Sequence, residues 1–307
     1  MNNKVLVIAG PTATGKTALA VRLSKELNGE IISADSIQIY KKLNIGSAKP
    51  DESEKQGIHH HLMDFLEPDA TYSVAEYVKD AKEKIDEIFA RNKVPIITGG
   101  TGLYISSLVD NVEFSDSEID TSVRERLNKE LEKLGKEAMH KRLEKIDPES
   151  ACAIHPNNTK RVIRALEIYE TTGKTRTELE KVSKLRTSPY NFCLIGLNCE
   201  RELLYERINK RVDIMIERGL FKEVKELLSS GVPKNAQSMQ GIGYKEVVMM
   251  QNNEISEDEC IELIKKNSRN YAKRQLTWFR RSDYNWFDCL DKDLYEKVRK
   301  YIGEIGI

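Results

Sequence analysis

The stretch VLVIAGPTATGKT, residues 5–17, decides the fold. A short apolar run stops at Gly10, four residues lead to Gly15, and Lys16 and Thr17 follow. This satisfies the pattern G-x-x-x-x-G-K-[ST], so Gly10, Pro11, Thr12, Ala13, Thr14, Gly15, Lys16 and Thr17 read as one phosphate-binding loop. Glycines let backbone amides turn toward an anion, and a helix opening at the lysine adds its positive end. Lys16 supplies a mobile cation, and the Thr17 hydroxyl is placed to bind Mg²⁺ or a phosphate oxygen. The loop follows a strand-like run and precedes a helical one, KTALAVRLSKELN, expected to close at Gly29. Whether the phosphate is transferred or discarded is not decided by the loop.

Outward from the loop, EIISA (30–34) reads as a second buried strand ending at Asp35 and Ser36. Apolar residues at 74, 77, 78, 81, 85 and 88 mark a helix, and KVPIIT (93–98) a third strand with GGTGLY (99–104) behind it. Strands alternating with helices at this spacing imply βαβ units and a parallel sheet. The expected class is α/β: a P-loop NTPase-like parallel sheet flanked by helices. DNVEFSDSEID (110–120) is acidic and turn-like, and no strand pattern follows until about residue 190. Helix starts are expected at Ser122 with Glu125 as a capping box, at Asp147 before Pro148, and at Asn158, whose helix stops at Gly173. FCLIGLNC (192–199) returns to the sheet. The expected organisation is a first core segment over 1–112, a helical insertion over 113–190, and a second core segment with basic helices over 191–307.

With 39% hydrophobic and 32% charged residues, the composition is that of a soluble globular protein. No apolar run approaches the roughly 18 residues that span a bilayer, so no membrane partner is expected. The N-terminus reads as a buried strand rather than a signal peptide. Five cysteines form no CxxC pair, which argues against a zinc site or disulfide framework and for a reducing cytoplasm. A monomer is expected. The formal net charge is zero, yet KKNSRNYAKRQLTWFRR (265–281) carries seven Lys/Arg and no acid, a candidate RNA-backbone contact. Its helix is expected to bury Ile261, Ile264, Tyr271 and Trp278. Consecutive histidines rarely converge on one ion, so His59, His60 and His61 are not taken as metal ligands.

A kinase reading needs a Mg²⁺-binding acid at the end of a later apolar strand. KVPIIT ends instead in Thr98, Gly99, Gly100 and Thr101. Asp35 is the one carboxylate ending an early core strand. It reads either as a cap for the next segment or as a substrate-facing group at the carboxyl edge of the sheet.

Several stretches in order resemble the tRNA dimethylallyltransferase (isopentenyl-diphosphate:tRNA transferase) family: GPTATGKT, ISADSIQIYKKLNIGSAKP (32–50), HHLMD (60–64), GGTGLY, IHPNNTKRVIRALEIYETTGKT (154–175), RINKRVDIMIERGL (207–220), GIGYKE (241–246) and YAKRQLTWFR (271–280). The set runs nearly end to end. The chain ends without the Cys/His spacing of the zinc-finger extension that eukaryotic relatives carry. The resemblance implies transfer of a dimethylallyl group from its diphosphate to the exocyclic amino nitrogen of the adenosine just 3′ of the anticodon (position 37), in tRNAs reading codons that begin with U. It implies Mg²⁺ as cofactor, tRNA and dimethylallyl diphosphate as partners, and a nucleotide-type phosphate loop of the kind that also binds ATP.

By the same resemblance Asp35 is the general base, and Lys16, Thr17, Arg211 and Thr101 belong to the catalytic set, with Thr17 on the metal. Asp35, Ser36, Ile37 and Gln38 match a base-holding segment. Thr101, Arg124, the run Lys160, Arg161, Val162, Ile163 and Arg164, and the run Gly241, Ile242, Gly243, Tyr244 and Lys245 match tRNA contacts. From the residues alone Arg211 could instead be solvated and paired with Glu200 or Glu206, Arg124 could face Glu125 or Asn128, and Thr101 is a turn hydroxyl. The alternatives are an adenylate isopentenyltransferase acting on free nucleotide, a P-loop small-molecule kinase, and a non-catalytic RNA-binding protein.

Overall fold

Continuous apolar runs make strands buried on both faces, as a parallel sheet requires. Lys4–Ala9 (β1) is such a run beyond Lys4, and Gly29–Ala34 (β2) is buried along its whole length with Glu30 and Ser33 among its apolar residues. The computed structural model describes residues 3–112, 121–183 and 187–306. Its sheet adds His60–His61 (β3), Val94–Gly99 (β4), Asn191–Asn198 (β5) and Asn285–Asp288 (β6). The order is β3-β2-β4-β1-β5-β6, every pair parallel. β1 lies between β4 and β5, so its carboxyl end, where the phosphate loop begins, sits mid-sheet at the point where the strand order reverses.

The α/β class and the strands at 4–9, 29–34, 94–99 and 191–198 follow the sequence reading closely. β3 and β6 do not: two and four residues long at opposite edges, they carry too few residues for a period to show. The helix Lys16–Glu26 is not closed by Gly29, which is already the first residue of β2. Asn28 makes the turn with φ 52°. Ser73 and Glu76 form a capping box that opens Val74–Ala90, whose buried stripe is Tyr77, Val78, Ala81, Ile85 and Ile88.

The chain divides into two compact units, Met1–Leu108 with Pro189–Ile307, and Val109–Ser188. The first holds the sheet. Its core packs Leu6, Ile8, Ile31, Ile96 and Ile195 against Leu19, Ala20 and Leu23 of the helix behind the phosphate loop. The second contains only helices among its described residues: Thr121–Leu134, Lys136–Ile146, Pro148–Ala153, Thr159–Thr172 and Arg176–Ser183. Leu127, Met139, Leu143, Val162, Ile163 and Leu166 make its core.

Two of the expected caps differ. The helix is already running at Thr121, so Ser122 is not its cap. Asn158 stands at its N-cap position but makes no side-chain cap bond. Asp147 does cap, its Oδ1 accepting from the Ser150 amide at 3.1 Å. The acidic stretch from 113 to 120 lies outside the described residues.

The basic helix Glu257–Phe279 buries Cys260, Ile264, Ala272, Gln275 and Phe279. Ile261, Tyr271 and Trp278, expected in the core with Ile264, are only half-buried. Steps of four, three and four along Ile264, Ser268, Tyr271 and Gln275 place a second stripe beside the core one, and this stripe faces a cavity. Of the seven cations, Lys265 is engaged with Asp213 at 2.9 Å and Arg269 with Asn209 at 2.6 Å.

Candidate active site

The phosphate loop is built by backbone reversal. Gly10, Ala13 and Gly15 have φ of 150°, 65° and 80°, turning successive amides to one side. Gly10 has a second reason to be glycine: a Cβ there would meet the Leu197 carbonyl oxygen at 2.5 Å. The Thr14 hydroxyl donates to the Pro11 carbonyl at 2.9 Å, and Lys16 Nζ donates to the same oxygen at 2.7 Å. Burial pulls the Lys16 ammonium down to about 7, with Arg211 adding repulsion and Asp35 opposing both.

A cavity of about 490 Å³ runs from this loop along the carboxyl edge of the sheet. Thr12, Lys16, Thr17, Asp35, Ser36, Ile37, Gln38, Arg211, Gly241, Ile242 and Lys245 all line it. The structure thus gathers residues far apart in sequence around one space. Arg211 is turned inward, its Nη1 donating to Thr12 Oγ1 at 3.0 Å. The alternative pairing with Glu200 or Glu206 describes neither arginine: Arg207, one turn earlier, is exposed, with Nη1 3.6 Å from Cys289 Sγ. Burial lowers the pKa of Arg211, but a guanidinium stays charged.

Asp35 combines both roles considered for it. Oδ1 accepts from the amides of Ile37 at 2.9 Å and Gln38 at 3.2 Å, capping the turn after β2. Oδ2 takes no hydrogen bond among the described residues, and the residue lines the cavity. Gln38 Nε2 donates to the carbonyls of Ser47 and Ala48 at 3.1 and 3.3 Å. That loop is held by Glu223, whose carboxylate accepts from the amides of Asn44, Ile45 and Gly46.

Three expectations change at this point. Thr101 does not line the cavity: its Oγ1 accepts from the Ser36 amide at 3.1 Å, tying the loop after β4 to the one after β2. Tyr244 is fully buried, its hydroxyl donating to Glu223 at 2.8 Å and accepting from Ser47 N at 3.2 Å, so it props the wall that Gly241, Ile242 and Lys245 form. In the helical unit, Val162 and Ile163 are 1% and 4% exposed in its core, which takes their side chains away from any RNA. Their neighbours Lys160, Arg161 and Arg164 are exposed. Arg124 faces neither Glu125 nor Asn128. It and Arg164 both bond buried Glu167, Nη2 and Nη1 each at 2.9 Å from Oε2.

Within the histidine run, His60 lines the cavity and His61 turns to β2. His61 Nε2 donates to Glu30 Oε2 at 2.6 Å, and His60 Nδ1 donates to the Ile58 carbonyl at 2.9 Å. Among the described residues no three His, Cys, Asp or Glu side chains converge as a metal cage. Oxygen groups around the loop end of the cavity include the Thr12 and Thr17 hydroxyls and the Asp35 carboxylate, hard donors of the kind that would suit a hydrated Mg²⁺. Sequence reasoning missed Tyr271, Arg274 and Gln275 as cavity residues.

Residues 38–282 match the protein family described as IPPT, IPP transferase. The chain belongs to the IPP transferase family. It is 49% identical over 310 residues to the tRNA dimethylallyltransferase of Acetivibrio thermocellus, covering 99% of both chains. It is 50% identical over 304 residues to that of Caldanaerobacter subterraneus subsp. tengcongensis, covering 98% of this chain and 96% of the relative. The crystal structure of the full-length tRNA isopentenylpyrophosphate transferase from Bacillus halodurans superposes with a TM-score of 0.75 at 43% identity, covering 99% of this chain and 96% of that one. A eukaryotic dimethylallyltransferase described as acting on tRNA reaches a TM-score of 0.80 at 30% identity, over 98% of this chain and 78% of that one.

Proposed function

We propose that the protein is a tRNA dimethylallyltransferase, moving a dimethylallyl group from its diphosphate to the exocyclic amino nitrogen of the adenosine 3′ of the anticodon. The observation that carries this reading is the single cavity joining the phosphate loop and Arg211 to the free oxygen of Asp35. Full-length relatives with that name favour it over a nucleotide prenyltransferase or a kinase. A kinase would also want a Mg²⁺-binding acid at the end of β4, where Gly99, Gly100 and Thr101 stand.

The residues divide the work by charge. The adenine amino lone pair is delocalised into the purine, so the nitrogen becomes a good nucleophile only as its proton leaves. Asp35 Oδ2 accepts that proton while the N–C bond forms, a contribution of typically 10²–10⁴-fold. Oδ1, fixed by two amides, holds the carboxylate in place. The allylic C–O bond breaks with its electron pair going to the diphosphate. Loop amides, Lys16 and Arg211 face the oxygens where that charge grows. Mg²⁺, when bound with the diphosphate through Thr17, would neutralise further charge on the leaving group.

The target base must leave the anticodon stack to reach the cavity, and Asp35 to Gln38 form the wall it would meet. Lys160, Arg161 and Arg164 are assigned to tRNA phosphates. No helix among the described residues is long and apolar enough to cross a membrane, and a monomer acting in the cytoplasm is the reading we adopt. The test is incubation with Mg²⁺ and labelled dimethylallyl diphosphate, offering unmodified tRNA, AMP or ATP in turn. Label is expected on tRNA alone. Label on AMP or ATP but not on tRNA would overturn the reading.

A further inference from the structure

We propose that Gln275 is a positioning residue: its side-chain amide clamps the phosphate loop to the loop after β4 and thereby sets Thr12 and Arg211 for the leaving diphosphate. This rests on the function proposed above. Gln275 is 4% exposed, an uncharged side chain within a run of seven cations. Its Oε1 accepts from the Thr12 amide at 3.0 Å, and its Nε2 donates to the Gly100 carbonyl at 2.9 Å. The partners fix the orientation of the amide, because a peptide N–H can only donate and a carbonyl can only accept.

Glutamine is the side chain this position requires. Lysine or arginine could not accept from Thr12, and an ionised glutamate could not donate to Gly100. The loop after β4 is shaped to admit it: a Cβ on Gly100 would lie 2.2 Å from Gln275 Nε2. The same carbonyl lies 3.5 Å from the Tyr271 hydroxyl, one turn back on the helix.

The chemical consequence runs through Thr12. Its amide is taken by Gln275, so it is the Thr12 hydroxyl, held at 3.0 Å from Arg211 Nη1, that faces the cavity. Two helices therefore grip one residue of the phosphate loop, one by its backbone and one by its side chain. Small displacements of groups aimed at developing charge cost more in the transition state than in the ground state. Loss of the clamp is expected to lower kcat more than it raises KM for dimethylallyl diphosphate.

Gln275→Glu keeps the shape and makes the clamp titratable. Above the carboxyl's pKa the anion is repelled by the Gly100 carbonyl. Below it the acid can donate to Gly100 and still accept from Thr12. Burial raises that pKa, so the ratio of variant to wild-type kcat should rise as pH falls. We expect kcat reduced about tenfold or more near pH 8.5, with at least about threefold of this recovered near pH 6. Gln275→Leu should be slow throughout. Affinity for tRNA should stay within about twofold in both.

A parallel calorimetric titration with inorganic diphosphate reads the loop without any transfer. There Gln275→Leu should bind more weakly than wild type at every pH, and the affinity of Gln275→Glu relative to wild type at the same pH should be lower at high pH than at low pH, a ratio in which the common Lys16 dependence cancels. A Gln275→Glu ratio that does not change with pH, or diphosphate affinities equal in all three proteins, overturns the clamp. Absence of transfer by the wild type, with the diphosphate differences present, would instead overturn the proposed function and leave the clamp standing.

Discussion

Arg211 Nη1 and the hydroxyl of Thr12 are 3.0 Å apart, so a helix that follows the last long core strand reaches back to the first loop of the chain. The contact gives the arginine a fixed direction before any ligand enters. In the mechanism proposed above, its positive charge meets the diphosphate as the C–O bond breaks. Arg211→Ala should lower the single-turnover transfer rate by about 10²–10³-fold while leaving tRNA affinity nearly unchanged. Equal losses in rate and tRNA affinity would contradict this assignment.

Lys16 sets a pH dependence for donor binding. With its pKa lowered to about 7, chiefly by burial, the ammonium is charged below that pH and neutral above it. A diphosphate binds the charged form better. Affinity for dimethylallyl diphosphate should therefore fall as pH rises through about 7, by up to roughly tenfold for an ammonium–phosphate pair that the neutral amine cannot make. Equilibrium binding between pH 6 and 9 checks this, and Lys16→Arg should flatten the curve.

Glu30 sets a different dependence, on stability. Burial alone would push its carboxyl up, but hydrogen bonds from Arg91, Lys93 and His61 outweigh burial and hold it at about 2. A carboxyl with a depressed folded-state pKa stabilises the fold above its unfolded value near 4.5 and loses that contribution as pH falls toward about 2. The contribution is roughly 3 kcal/mol at most. Urea unfolding from pH 6 to pH 3 should show it, and Glu30→Gln should be less stable at pH 6 yet show a shallower loss on acidification.

In the helical unit, neighbouring positions should behave differently. Lys160→Ala and Arg161→Ala should weaken tRNA binding and each reduce the slope of log affinity against log salt by about one. Val162→Ala should leave that slope alone and cost about 1–3 kcal/mol of stability by opening the core. Filter binding over a salt series and thermal unfolding separate the two effects.

How much of this could be read from residues alone follows from how local each signal is. β1, the phosphate loop and the helix after it were legible because an apolar run, two glycines and a helical stripe fall within about twenty residues. β3 at His60–His61 was not, because its pairing with β2 and the hydrogen bond from His61 to Glu30 are tertiary. Asp35 was legible as the end of a strand. That one carboxylate oxygen caps the turn while the other faces the cavity needed coordinates. Val162 and Ile163 went astray for a periodic reason: a matched run assigns a role to consecutive residues, whereas a helix turns successive side chains by about 100°. Gln275 carries no sequence signal, since only its two backbone partners make it special.

The most direct measurement is the single-turnover rate of transfer to unmodified tRNA for wild type and Asp35→Asn. Asparagine keeps an oxygen to accept from Ile37 and Gln38, so the turn should survive while the proposed base is lost. Transfer of the dimethylallyl group to tRNA by the wild type, with the variant slower by about 10²–10⁴-fold at unchanged tRNA affinity, is the predicted result. A variant that transfers at the wild-type rate would contradict it.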